Sequence, residues 1–239
     1  MTIKHPEFLV ETPWLAEHLA DAEIRVLDCT AFNRSDGSGG IRAESGRDSW
    51  ESEHIPGAGH ADLVEDLSDK DAPFRYMLPP IEQFAKSFSK YGVGAGTRAI
   101  LYDSTSGSWA TRIWWMLRAF GFDNASILNG GLHKWKMEGR PLDTAPSNYP
   151  AAIFLAKPRP GLFANKDEVL ANLGKEQTCL INGLSEEQHL GTGGSEYGRP
   201  AGMRGSQDHE GLRLERLGYW RYGLADHSQI LPFQGAVLR

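Results

Sequence analysis

Six consecutive residues near the middle of the chain, Asp103-Ser104-Thr105-Ser106-Gly107-Ser108, have the types and order to surround an anion. They follow the apolar run Ala99-Ile100-Leu101-Tyr102 and precede Ala110, Ile113, Trp114, Leu117 and Phe120, which recur at helical spacing. That order predicts a buried parallel strand, a tight loop and an amphipathic helix. Small side chains in the loop let successive backbone N–H groups converge, with the positive end of the helix dipole behind them. The residue at the head of such a loop sets its chemistry. A cysteine there is driven towards thiolate and becomes a nucleophile, whereas Asp103 offers a carboxylate and no sulfur chemistry.

Other chemical arrangements are poorly supported. An aspartate nucleophile for phosphoryl transfer wants a second Asp two residues on, where Thr105 stands, and a Cys-x5-Arg phosphatase loop is missing. The two cysteines, Cys29 in Arg25-Val26-Leu27-Asp28-Cys29 and Cys179 in Thr178-Cys179-Leu180-Ile181-Asn182, read as strand-end residues, buried and inert. Gly92-Val93-Gly94-Ala95-Gly96-Thr97 follows a helix predicted over 81–91 and precedes a strand, the reverse of a dinucleotide loop, so it reads as a helix stop and turn. Gly191-Thr192-Gly193-Gly194-Ser195 lacks the Lys-Ser/Thr of a phosphate loop. His54 and His60 have no third ligand set nearby, which argues against a metal site. Trp114 and Trp115 read as packing residues, and residues 34–48, rich in Gly, Ser and Arg, as a surface loop.

The elements around the loop carry a resemblance. His54-Ile55-Pro56-Gly57-Ala58 with Asp62 downstream, Tyr102-Asp103, the run from Ala110 to Gly121, and Leu128-Asn129-Gly130-Gly131 continuing to Trp135, Gly139 and Pro141 together resemble a rhodanese domain of the tandem sulfurtransferase family. The resemblance implies an α/β fold, a rhodanese-like parallel sheet flanked by helices, with two similar domains in the family. It also implies that the first domain carries Asp where the second carries the catalytic Cys, so Asp103 fits a non-catalytic first domain.

A second copy is visible without the resemblance. Set against the segment from Ala164, the segment from Val10 pairs Leu15 with Val169, Leu19 with Leu173, Val26 with Leu180, Leu27 with Ile181 and Asp28 with Asn182. Each copy reads as a short helix followed by a strand. The expected organisation is a first domain over 8–143, a linker over 144–161 rich in Pro, a truncated or diverged second copy starting over 162–206, and a diverged or disordered tail over 207–239. Met203-Arg204-Gly205-Ser206 answers Ile55-Pro56-Gly57-Ala58, and at these offsets the partner of Asp103 falls near position 251 to 257, past Arg239.

Composition excludes some classes. With 25 basic and 31 acidic side chains the net charge is −6, and the scattered basic residues make no nucleic-acid footprint. No apolar signal core or membrane-spanning run is visible, and two cysteines in separate copies make no disulfide framework, so a cytoplasmic protein is expected.

The activity implied by resemblance is ping-pong transfer of sulfane sulfur from thiosulfate or 3-mercaptopyruvate through a cysteine persulfide to a thiophilic acceptor, with no metal or organic cofactor. Its ligand is a small sulfur-containing anion. A family position that helps bind the donor corresponds to Gln188, ahead of His189-Leu190-Gly191-Thr192, with Arg199 as the nearest basic candidate. Without a cysteine loop, the expectation is a degenerate site at residues 103–108, no catalytic residue, and an inactive chain. The alternative is a non-enzymatic module binding an anion or a protein partner.

Overall fold

The computed structural model describes residues 5–38, 40–147, 149–173, 175, 177–181 and 236–238. The chain divides into two compact units, one formed by Met1–Phe32 and Ala43–Arg159, the other by Asn33–Arg42 and Pro160–Arg239.

The first unit is built on five parallel strands, β1 (Leu9–Val10), β2 (Ile24–Asp28), β5 (Gly59–His60), β6 (Arg98–Tyr102) and β7 (Ala125–Leu128), in the order β1-β7-β6-β2-β5. All five residues of β2 are buried, as are four of the five in β6. Strands covered on both faces have no solvent side to alternate towards, which explains their near-continuous apolar text. On one face Leu15 of α1 (Thr12–His18), Ile55, Ala58, and Leu132 and Trp135 of α5 (Gly131–Met137) join Val26, Ile100 and Tyr102 in one core cluster. A separate aromatic cluster groups Phe84 and Phe88 of α3 (Ile81–Lys90) with Phe120 and Phe154. Helix α4 (Ser108–Ala119) buries Ala110, Ile113, Trp114 and Leu117 and lies against β6 and β7.

The strand order runs outward in opposite directions from the β2/β6 pair: β2 is followed by its neighbour β5, and β6 by its neighbour β7. In parallel α/β sheets that reversal opens a crevice at the carboxyl ends of the strands. The loop at Asp103 leaves β6 at that end.

One expectation needs correction. The stretch 34–48 is no plain surface loop: β3 (Ala31–Ser35) pairs with β4 (Ile41–Ser45), and α2 (Arg47–Ser52) follows. Asp36 makes the turn by accepting from the amides of Ser38 and Gly40, both at 2.8 Å, a side-chain device that hides behind a Gly- and Ser-rich text. The proline-rich segment is tied down along part of its length. Ala152 N donates to Ser89 O and Lys157 N to Phe120 O, and Phe154 is buried against Phe84, Phe88 and Phe122.

In the second unit, α6 (Lys166–Asn172) starts in a capping box: Asn165 accepts from Glu168 N, and Glu168 accepts from Asn165 N. Strand β8 (Cys179–Ile181) pairs antiparallel with β9 (Ala236–Leu238), so the stretch over 207–239 contributes one described strand.

Candidate active-site loop

The spacing of Asp103 from the first turn of α4 fixes what the carboxylate can reach. Its Oδ1 accepts from the Thr105 amide and hydroxyl, both at 2.8 Å, and from the Gly107 amide at 3.0 Å. Its Oδ2 accepts from the amides of Trp109 and Ala110, both at 3.0 Å. Five donors therefore converge on one side chain that is 2 % exposed. The predicted cradle exists, and its occupant is the residue at its own head.

The loop is pinned from three sides. Gly107 takes a left-handed φ of 83°, which turns the chain into α4. Thr30, just past β2, accepts from the Ser104 amide at 3.0 Å and donates its hydroxyl to Ser104 Oγ at 3.2 Å. Behind the loop, Leu132 N donates to Asp103 O, and a Cβ on Gly131 would come 2.6 Å from that same oxygen. The Gly130-Gly131 pair thus lets α5 approach the back of the loop. Thr105 and Ser106 are exposed, so the mouth faces solvent.

Cys29 lies next door, one residue past the end of β2, 0 % exposed, with its thiol directed to Leu27 O at 3.6 Å. Burial pushes that thiol well above its ordinary range, and the carboxylates of Asp28 and Asp103 add to the shift. Cys179 stands first in β8, in a strand rather than at the head of a loop. Gln188 and Arg199 lie outside the described residues.

Sequence reasoning missed a brace on the first turns of α4. Tyr76, at a φ of 62°, sets its ring against that of Trp109 at 5.1 Å, and its carbonyl accepts from Arg112 Nη2 at 2.6 Å. Burial lowers Arg112 to about 10, which leaves the guanidinium charged at neutral pH. The signal was an arginine inside the apolar run of α4, where a charged group needs an acceptor.

The His54-to-Asp62 run supports the sheet. Ile55 and Ala58 are in the core, and Trp50 Nε1 donates to Ala58 O at 2.9 Å. Asp62 takes the amides of Val64 and Glu65 on Oδ1, both at 3.0 Å, and the Ser45 hydroxyl on Oδ2 at 2.6 Å. Among the described residues no group of three or more His, Cys, Asp or Glu could hold a metal ion, and no helix is long and apolar enough to cross a membrane.

This geometry, a loop at the carboxyl end of a central parallel strand with amides gathered on one point, defines a class that comparison confirms. Residues 11–138 match the rhodanese-like domain, and the chain belongs to the rhodanese family. It is similar to the thiosulfate sulfurtransferase of Bos taurus, 35% identical over 190 residues, which are 77% of this chain and 61% of the relative. It is also similar to the 3-mercaptopyruvate sulfurtransferase of Homo sapiens, 33% identical over 77% of this chain and 62% of the relative. The chain thus spans about three fifths of the length of these relatives. Among solved structures, the 3-mercaptopyruvate sulfotransferase SseA of Escherichia coli matches with a TM-score of 0.60 and 34% identity, covering 69% of this chain and 61% of that one.

Proposed function

We propose that the first unit is the non-catalytic half of a rhodanese-type sulfurtransferase, a scaffold with the fold of the reaction and no sulfur nucleophile. One observation carries this reading: the amides that would hold a persulfide are already bonded to the Asp103 carboxylate. Sulfur transfer needs a thiolate that attacks the sulfane sulfur of the donor and then surrenders it to a thiophilic acceptor. A carboxylate cannot store sulfur in this way. Cys29 is buried and its thiol is pushed away from ionisation, and Cys179 does not head a loop. A chain of these 239 residues is therefore inactive towards thiosulfate and 3-mercaptopyruvate, the compounds in the names of its relatives.

The alternative reading, a small-anion binding module, is weakened at this loop by the same five filled donors. A protein-binding role stays compatible with it. The reading includes a cytoplasmic setting, which the free buried thiol of Cys29 supports, and no nucleic-acid partner.

Thiocyanate formation from thiosulfate and cyanide, and sulfide release from 3-mercaptopyruvate with a thiol acceptor, test the proposal. Both are expected at the protein-free rate, with no stable extra sulfur on either cysteine by mass spectrometry. Turnover comparable to that of the bovine relative would overturn it.

A further inference from the structure

The turn from β7 into α5 carries an Asn129-Gly130 pair, the dipeptide in which an asparagine side chain is most open to attack by the next backbone nitrogen, because no Cβ shields that nitrogen. The fold fixes the glycine. Gly130 takes a φ of 81°, and a Cβ placed on it would come 2.5 Å from Cβ of Lys134. A residue with a side chain does not fit there, so the labile pair is built into the turn. Asn129 is half-buried, within reach of water.

The same turn places a hold on the asparagine. Asn129 Nδ2 donates to Glu11 Oε1 at 2.7 Å, and Lys134 Nζ donates to Glu11 Oε2 at 2.6 Å. The Glu11 carboxyl is lowered first by the Lys134 bond and then by that of Asn129, so it is ionised at neutral pH. Ring closure needs the side-chain carbon brought onto the Gly130 nitrogen and a proton delivered to the departing amine. A carboxylate on Nδ2 works against both. It restrains the rotamer, and it only accepts where the reaction wants a donor. It also engages the Lys134 ammonium, which would otherwise be free to act as that donor.

We propose that Asn129 is a spontaneous deamidation site which Glu11 holds closed, and that its conversion loosens the brace behind the Asp103 loop. The Gly130 nitrogen gives up its proton and bonds to Cγ of Asn129, the bond from Cγ to Nδ2 breaks, and ammonia leaves. Water then opens the succinimide at either carbonyl, giving aspartate or isoaspartate. Aspartate sets a second carboxylate against Glu11 where a donor stood. Isoaspartate adds a methylene to the main chain between the Asn129 amide, bonded to Val10 O at 2.8 Å, and the Leu132 amide, bonded to Asp103 O at 3.1 Å. Gly131 already meets that Asp103 oxygen with no room for a Cβ, so one end of the lengthened turn has to shift. The inference is independent of the sulfur chemistry proposed above.

Ageing the full chain in mildly alkaline buffer, with peptide mapping by mass spectrometry and isoaspartate read by methyltransferase labelling, tests the hold. In Glu11→Ala, Asn129 should convert at least about tenfold faster than in wild type, the factor that loss of one hydrogen bond to a charged group gives. Asn182, which precedes Gly183 in the same chain, should convert at one rate in both proteins. Glu11→Gln, which keeps an acceptor for Nδ2, should fall between. Converted protein should show shifted amide resonances over 103–110 and unchanged ones over Ile24–Asp28. If Glu11→Ala does not fold, wild type in native buffer against wild type in urea decides, with Asn129 converting about tenfold more slowly in the native protein. Equal rates at Asn129 in either comparison, an acceleration that Asn182 shares in Glu11→Ala, or unshifted resonances over 103–110 after conversion overturns the proposal.

Discussion

Cys29 and Asp103 occupy corresponding places on neighbouring parallel strands, each one residue beyond the Asp28–Tyr102 pair that closes β2 against β6. Only Asp103 turns into the ring of donors. Cys29 N donates to Tyr102 O at 2.7 Å, and its sulfur is fully buried against Leu27 O. The one described thiol of this unit therefore stands beside the cradle and outside its chemistry.

That relationship predicts a silent cysteine. In a Cys179→Ser variant, Cys29 should react with iodoacetamide at least about 100-fold more slowly in the native protein than in urea, because the thiol is buried and kept from ionising. Rapid native labelling would show that the sulfur can reach solvent and would sink the inert assignment.

Asp103 should prove structural. Asp103→Ala strands four amides and one hydroxyl at the start of α4. Water entering through the exposed mouth offsets part of the loss, leaving a destabilisation of about 2–4 kcal/mol in urea unfolding. A change below about 0.5 kcal/mol would mean that the five bonds add nothing over solvent.

The two glycines behind and ahead of the loop should separate cleanly. Gly107→Ala strains only the backbone, since no atom lies within 4 Å of the new Cβ at a φ of 83°, and a cost of about 1 kcal/mol is expected. Gly131→Ala adds a clash with Asp103 O at 2.6 Å. It should cost at least about 2 kcal/mol and disturb the amide resonances of residues 103–110. Equal costs for the two would remove the argument that α5 braces the loop.

Much of this was legible in the text of the chain because the pattern is local. An apolar run, small loop residues and a 3.6-residue repeat placed β6, the cradle and α4, and the helix read over 81–91 is observed over Ile81–Lys90. What stayed hidden depends on side chains reaching across the fold or bonding their own backbone. Asp36 builds a turn between β3 and β4 that composition presents as loop, and Phe154 fastens the proline-rich segment through an aromatic cluster assembled from α3 and the end of α4. Tyr76 and Arg112 meet across a sequence separation of 36, so no spacing rule links them.

Acid should expose the role of Asp62. Burial works to raise this carboxyl, but bonds from His60, Ser45 and the Glu65 amide outweigh it and hold it well below the ordinary aspartate range. A carboxyl depressed in the folded state contributes stability above its unfolded value of about 3.9, and that contribution is lost as pH falls through and below it. Asp28, raised chiefly by burial, works in the opposite sense, so total stability alone does not isolate Asp62. The difference between wild type and Asp62→Asn does. In urea unfolding that gap should be widest near about pH 6 and should narrow towards about pH 3, where Asp62 of the unfolded wild-type chain takes up a proton that the folded carboxyl still refuses. A gap that holds constant over this range would mean that the charge on Asp62 contributes nothing, and that its bonds to Ser45 and the Glu65 amide act only as neutral contacts.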